Sequence, residues 1–413
     1  MVSMVDLKRS LVLHLLVTSL LCGWVSGTRS SSFPSISCGV NNNDEVSCGN
    51  VGCTFSNGEC TIPSTGGYSF TPSSAGSSSG IMEIRSPSGL FFGKEYSELS
   101  IQVDQETVDR THIKIVPVGI DRWEVPEELL PRPGGSYTGR DALTYTNVSN
   151  NAEGSVEIVV RRTNDNVAKD EGDEDWVMKL NSQLVYQDQY LQFILDMPHN
   201  LAAVYGLGES SRLTQQLEVN TTYTIWNTDW ASSKFNTTLY GSHPFHIQVL
   251  ESGLSQGILF LNSNAMDVRL NVNSDGKKLL SFQSVGGLID LYVFAGPTPE
   301  AVIQQYLSVI GKPAMMPYWS LGFHNCRWGY QNVDDILSIV DNYTLAGIPM
   351  DTQWMDIDYM DEYRDFTVDP INWSLEDMRR LMSSLHANNQ HFVPIVDPGI
   401  YMRHDNYSTL TRG

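Results

Sequence analysis

The feature that most restricts this chain is an alternation of strand and helix packed into the residues after Gly311. Tyr318 to Phe323 reads as a strand. Val333 to Tyr343 follows with Ile336, Ile339, Val340 and Tyr343 at helical spacing. Gly347-Ile348-Pro349 breaks that helix, and Asp351 to Ile357 reads as a second strand. Ser374 then stands where an N-cap belongs, ahead of Leu375 to Ala387, whose Leu375, Met378, Leu381, Met382 and Leu385 share one face. Phe392 to Val396 is a third buried strand. Strands alternating with single helices pair in parallel through helical crossovers, which predicts the opening of a (β/α)8 barrel. A doubly wound sheet is the alternative, but no glycine-rich phosphate loop follows any of these strands. A complete barrel takes about 250 residues. Only about 100 follow Gly311, so the barrel over 312–413 is expected to be incomplete.

Upstream the pattern is different. Short alternating runs, such as Ser155 to Val160, Leu191 to Leu195, Phe245 to Leu250 and Leu288 to Phe294, are punctuated by Gly, Asn and Asp. They predict an antiparallel β-sandwich over 81–311. The Ser/Gly/Pro-rich stretch 63–80 has the composition of a linker, and 28–62 is a small cysteine-rich segment. The run Asp170-Glu171-Gly172-Asp173-Glu174-Asp175 lacks the ligand spacing of a calcium loop and reads as a solvated loop.

Residues 1–27 read as a secretory signal peptide. Lys8 and Arg9 precede an apolar run from Leu11 to Cys22, and Val25-Ser26-Gly27 supplies small residues. The apolar run is shorter than the roughly 20 residues of a membrane-spanning helix. In an oxidising compartment Cys38, Cys48, Cys53 and Cys60 are expected to form two disulfides, in one of three connectivities. Their spacing does not suit a structural zinc site. Cys326 is left over as a free, buried thiol. Sequons beginning at Asn147, Asn220, Asn236, Asn342, Asn372 and Asn406 support the same secretory routing, toward an extracellular or a lysosomal or vacuolar destination. The formal net charge of −21 repels phosphate backbones and argues against nucleic-acid binding.

Side chains after the C-terminal ends of barrel strands face the active-site mouth. His324, Arg327 and Trp328 lie past the first strand, Asp356 and Asp358 at the end of the second, and Asp397 at the end of the third. Carboxylates accept hydrogen bonds from sugar hydroxyls, and an indole stacks on the apolar face of a sugar ring. The bland alternative is that these carboxylates cap helices or pair with Arg327 or Arg364. His243 and His246 sit three apart in a predicted strand, on opposite faces, which disfavours a shared metal. No cofactor and no metal is expected, and no Gly-x-Ser-x-Gly elbow suggests serine chemistry.

Gly311-Lys312-Pro313, Tyr318-Trp319-Ser320-Leu321-Gly322-Phe323-His324, Cys326-Arg327-Trp328-Gly329-Tyr330 and Ala346-Gly347-Ile348-Pro349 resemble glycoside hydrolase family 31, the α-glucosidase family. Asp356-Ile357-Asp358-Tyr359-Met360-Asp361, Asp365-Phe366-Thr367 and Val396-Asp397-Pro398-Gly399-Ile400 extend the resemblance. Tyr205 to Glu209, Tyr223 to Asp229, Leu239 to Phe245 and Asn262 to Asp267 resemble the family's N-terminal, galactose mutarotase-like sandwich. The resemblance implies a retaining hydrolase of terminal α-linked glucose in oligosaccharides. It assigns sugar binding to Asp356, pocket lining to Trp328, Ile357 and Ile395, and a reach over the barrel mouth to Asp229. In the family the nucleophile lies in Trp-x-Asp-Met-Asn-Glu after the fourth strand, with the acid/base further on. Trp354-Met355-Asp356-Ile357-Asp358 imitates that motif but lacks the Asn-Glu ending, so Asp356 is a binding residue. By this reading neither catalytic carboxylate is among the 413 residues, and the chain alone is inactive. The alternative is a non-catalytic secreted carbohydrate-binding protein.

Overall fold

The structure is a computed structural model that describes residues 67–86, 92–130, 142–163, 176–181, 184–228, 235–273 and 276–397. Short pieces at 54–56, 59–61, 137 and 139 are also described. The signal segment, Cys38, Cys48, Cys53, the acidic run, Asp229 and Asn406 lie outside the described residues, as does the Cys60 side chain. The chain divides into two compact units at Lys312/Pro313.

The first unit is built from two antiparallel sheets. A small hairpin, β1 (Thr54–Ser56) and β2 (Glu59–Thr61), precedes it. β3 (Gly67–Pro72), β4 (Gly80–Ser86), β5 (Glu98–Thr107) and β6 (Arg110–Pro117) run as a meander in the first sheet. β7 (Thr144–Asn150), β8 (Val156–Arg162), β9 (Trp176–Asn181), β10 (Val185–Gln187) and β11 (Tyr190–Asp196) belong to the second. The chain then crosses repeatedly. β12 (Leu201–Ser210), β14 (Thr238–Leu250), β15 (Ser255–Phe260) and β18 (Ile289–Phe294) complete the first sheet. β13 (Thr221–Ile225), β16 (Met266–Val272) and β17 (Lys278–Ser284) complete the second.

Period-two alternation supplies the core. Leu191, Phe193 and Leu195 of β11 are buried with Phe282 of β17 and Phe260 of β15. Phe193 stacks on Phe282 at 4.9 Å and meets Phe260 edge-on at 5.0 Å, both favourable ring geometries.

Two expectations need correcting here. The stretch 63–80 contains strand β3, whose Tyr68 and Phe70 are buried and whose partner is β4. Composition suggested a linker because serines and glycines surround two aromatic anchors. The sandwich also ends in a helix that the strand pattern hid, α1 (Pro299–Ile310). Its signal was present: Thr298 accepts from the Ala301 N–H as N-cap, and Pro299 occupies the first turn.

A buried ionic group also sits in the first sheet. His112 directs Nδ1 at Glu106 (3.1 Å) and Nε2 at Asp290 (2.6 Å) and stacks on Tyr292 at 4.3 Å. Arg110 reaches Glu106 at 2.7 Å and Ser308 of α1 at 2.9 Å. Both ring nitrogens face carboxylates, so the imidazole is fully satisfied only as a double donor, in its charged form. In β14, His243 is exposed and His246 fully buried, on opposite faces as the strand period requires.

The second unit opens with a tight turn. Tyr318–Leu321 forms a 3-10 turn where a strand was expected. The Ser320 N–H and hydroxyl both donate to the Pro317 carbonyl, which closes the turn and leaves Tyr318 92% exposed. The first strand shrinks to β19 (His324–Asn325). α2 (Val333–Leu345), β20 (Thr352–Met355), α3 (Leu375–Ala387) and β21 (His391–Pro394) follow, with β19, β20 and β21 parallel in that order. Ser374 caps α3 by accepting from the Asp377 N–H. Ile336 and Val340 of α2, Met355 of β20 and Leu381 and Leu385 of α3 form one core with Trp373. Among the described residues no helix is long and apolar enough to cross a membrane.

Candidate active-site wall

Because β19, β20 and β21 are parallel, the residues after Asn325, Met355 and Pro394 emerge along one edge of the sheet. Hydrogen bonds tie the three emerging loops together. The Gly329 N–H donates to Asp358 Oδ2 at 2.9 Å, joining the first loop to the second. Gly329 makes this turn at φ 105°, a conformation that L side chains rarely adopt. The Tyr359 hydroxyl donates to the Ile395 carbonyl at 2.8 Å, and the Asp397 N–H to Asp365 Oδ1 at 3.1 Å, joining the second to the third. Asp356 caps the short turn after β20, its Oδ1 accepting from the Ile357 N–H at 2.7 Å. Each of Asp356 and Asp358 thus spends one oxygen on a main-chain donor. Neither is paired with an arginine in the described structure. Arg364 pairs with Asp361 at 2.5 Å, and Arg327 lies over the Tyr330 ring at 5.6 Å.

The carboxylates also act through their fields. Burial and then the charges of Asp356 and Asp358 push the Cys326 thiol above its ordinary range. Burial, Asp365 and Asp397 do the same to the Tyr359 phenol. Cys326 is exposed, contrary to the expectation of a buried thiol, because it follows β19 and sits in the loop rather than in the strand. A thiol beside two anions stays protonated and reacts slowly. Asp356→Asn is therefore expected to speed alkylation of Cys326 at pH 7.5, read by mass spectrometry against time. An unchanged rate would separate the thiol from the carboxylate.

Trp328 is 68% exposed. Ile357 and Ile395 are half-buried against the core of this unit, so they pin the loops as well as flanking the carboxylates. Two arrangements were invisible in sequence. Asn325, Tyr330, Tyr343 and Gln353 form a polar knot on the helix side of the sheet, with Asn325 Nδ2 3.0 Å from both the Tyr330 hydroxyl and Gln353 Oε1. On the other face Trp319 stacks on His391 at 4.0 Å, while Trp354 donates to His324 Nδ1 at 2.8 Å. The loop after Asp361 is strained, with Glu362, Tyr363 and Phe366 all at φ between 54° and 61°. The Arg364–Asp361 pair and the Thr367 hydroxyl, donating to the Arg364 carbonyl at 2.6 Å, hold it.

Comparison with known proteins agrees with this architecture. Residues 313–413 match the glycosyl hydrolases family 31 TIM-barrel domain. Residues 135–268 match the glycosyl hydrolase 31 N-terminal galactose mutarotase-like domain. A probable alpha-glucosidase of Oryza sativa subsp. japonica is 39% identical over 338 residues, covering 78% of this chain and 36% of the relative. An alpha-glucosidase of Hordeum vulgare is 36% identical over 328 residues, covering 77% and 37%. The chain thus spans a little over a third of these relatives. Among solved structures, the ER glucosidase II complex of catalytic subunit and regulatory binding domain shares the fold. Its TM-score is 0.66 at 20% identity, covering 83% of this chain and 45% of that one. With an antiparallel mutarotase-like sandwich followed by parallel barrel strands, the chain belongs to glycoside hydrolase family 31, of which it carries the N-terminal portion.

Proposed function

We propose that this chain supplies one wall of the sugar pocket of a retaining α-glucosidase delivered through the secretory pathway. The reading is carried by the three bonded strand-end loops, which bring Asp356, Asp358 and Asp397 to one sheet edge beside an exposed Trp328. The α-glucosidase names of the plant relatives support terminal α-linked glucose as the substrate class.

Asp356 accepts hydrogen bonds from hydroxyls of the bound glucose, and Trp328 covers an apolar face of the ring. Nucleophilic attack and proton transfer fall to two further carboxyl groups of the barrel, which the 413 residues do not include. One forms the covalent glycosyl-enzyme, and the other protonates the leaving oxygen and then activates water.

The test has two parts. The 413-residue chain alone is expected to release no aglycone from an aryl α-glucoside. The transcript continued past Gly413 is expected to encode a Trp-x-Asp-Met-Asn-Glu motif and, expressed, to cleave the same substrate with retention. In that longer protein Asp356→Ala should lower kcat/KM by about 10- to 150-fold, since a hydrogen bond to a charged group contributes about 1.5–3 kcal/mol. Turnover by the 413-residue chain, or full activity in the variant, would sink the assignment. A continued protein that binds maltose without cleaving it would replace it with the binding-protein reading.

A further inference from the structure

A groove of about 490 Å³ opens in the sandwich where β12 and β13 end and β14 begins. Its size lies within the usual range of small-ligand sites, about 300–1,000 Å³. Its walls combine an indole, a guanidinium and a carboxylate with a row of threonine hydroxyls. Trp226 is 40% exposed there. Arg212 lies 4.5 Å over the Tyr223 ring and donates through Nη2 to the carbonyls of Gly206 (2.5 Å) and Leu207 (3.0 Å). Its Nη1 is buried without a hydrogen-bond partner among the described residues. Glu209 is exposed and holds the Gly241 N–H at 2.9 Å through one oxygen.

Asn236 belongs to the lining of this groove and begins the sequon Asn236-Thr237-Thr238. It is exposed, on a turn with φ 58°. The other described sequons are exposed as well, but none of them lines the groove. Asn147 and Asn372 donate their side-chain amides to Ser149 and Asp369, and Asn342 lies inside α2. Asn220 is exposed on a similar turn, φ 61°, but is not part of the groove.

We propose that Asn236 carries an N-linked glycan whose core N-acetylhexosamine rings pack into this groove against Trp226, with Glu209 as a hydrogen-bond partner. The covalent tether makes the second contact intramolecular, at an effective concentration in the millimolar range, so one stacked ring and a few hydrogen bonds are enough to hold it. The groove offers an acceptor in Glu209, hydroxyls in Thr222, Thr224 and Thr228 and an aromatic face in Trp226, which together suit a ring with hydroxyl and acetamido groups. The inference rests on the secretory routing proposed above.

The experiment expresses the full 413-residue chain, with its own signal segment, in a glycosylating eukaryotic host. Peptide mass spectrometry then gives occupancy at each sequon. Release by peptide-N-glycosidase from the native protein gives accessibility. The expected result is sugar at both Asn220 and Asn236, with native release at Asn236 about tenfold slower, the factor that corresponds to 1.4 kcal/mol. Denaturation, or Trp226→Ala, should equalise the two rates. Thr238→Val removes the Asn236 sequon without touching the indole, and should raise hydrogen exchange across 222–226. Sugar at Asn220 with none at Asn236, or equal native release at both, overturns the proposal. So does slow release that persists in Trp226→Ala, or unchanged exchange in Thr238→Val. No sugar at any sequon overturns the secretory routing itself.

Discussion

Asp290→Ala is expected to destabilise the sandwich by about 3–5 kcal/mol, the range found when one partner of a buried ion pair is removed. Asp290 and Glu106 hold His112 from its two nitrogens, and all three side chains are buried. Burial by itself lowers the histidine pKa. The hydrogen bonds and charges of Asp290 and Glu106 outweigh it and raise the value to about 9. The sign follows from linkage. A histidine raised above its unfolded value of about 6.5 contributes stability that is fully present below pH 6.5 and disappears as pH rises through 9. For a shift of that size the contribution is about 3 kcal/mol. His246 works in the opposite direction. Full burial pushes its pKa down to about 3, so its neutral form supports the fold above pH 6.5 and that support is lost as pH falls toward 3. Sandwich stability should therefore peak near pH 6.5 and decline on both sides. Urea unfolding as a function of pH, followed by hydrogen exchange in β5, β6 and β18, measures this. In Asp290→Ala the alkaline decline should flatten while the acid one stays. An alkaline slope unchanged in that variant would show that His112 is not its source.

The second large effect belongs to the barrel unit. Trp373→Ala should cost about 3–5 kcal/mol, as for other buried tryptophans truncated to alanine. Trp373 is 1% exposed and shares its core with Met355, Tyr359, Met360 and the inner faces of α2 and α3. Met355 immediately precedes Asp356, and Tyr359 ties the second loop to the third. Losing the indole therefore loosens the carboxylate wall from behind. In hydrogen exchange α2 and α3 should lose protection while the sandwich strands keep theirs, and Cys326 should alkylate freely. Retained protection in α2 and α3 would remove Trp373 from this role.

Sequence carried much of this architecture, unevenly. α3 is read to the residue, because Ser374 caps it and its apolar positions recur every three or four residues. β20 and β21 are found within a residue or two, since both are short apolar runs after a helix stop. β19 is missed. Tyr318 to Phe323 has strand-like composition, but Pro317 starts a turn whose carbonyl takes both donors of Ser320. A two-residue strand carries too little pattern to correct that reading. β3 is missed for the opposite reason, two buried aromatics diluted among serines and glycines. Within the site, acidic residues at strand ends are legible by position. That Asp358 braces Gly329 and Asp365 braces Asp397 is not, because the partners are 29 and 32 residues apart.

The two carboxylates nearest the proposed sugar are held by N–H groups of the backbone, one from Ile357 and one from Gly329. Main-chain donors survive nearly every point mutation. Side chains around them, Trp328 above all, can change in size and polarity without moving the oxygen atoms of Asp356 or Asp358. In the proposed pocket, a wall built this way keeps its carboxylates in place while its shape drifts, so related genes can part in substrate preference before they part in these two aspartates.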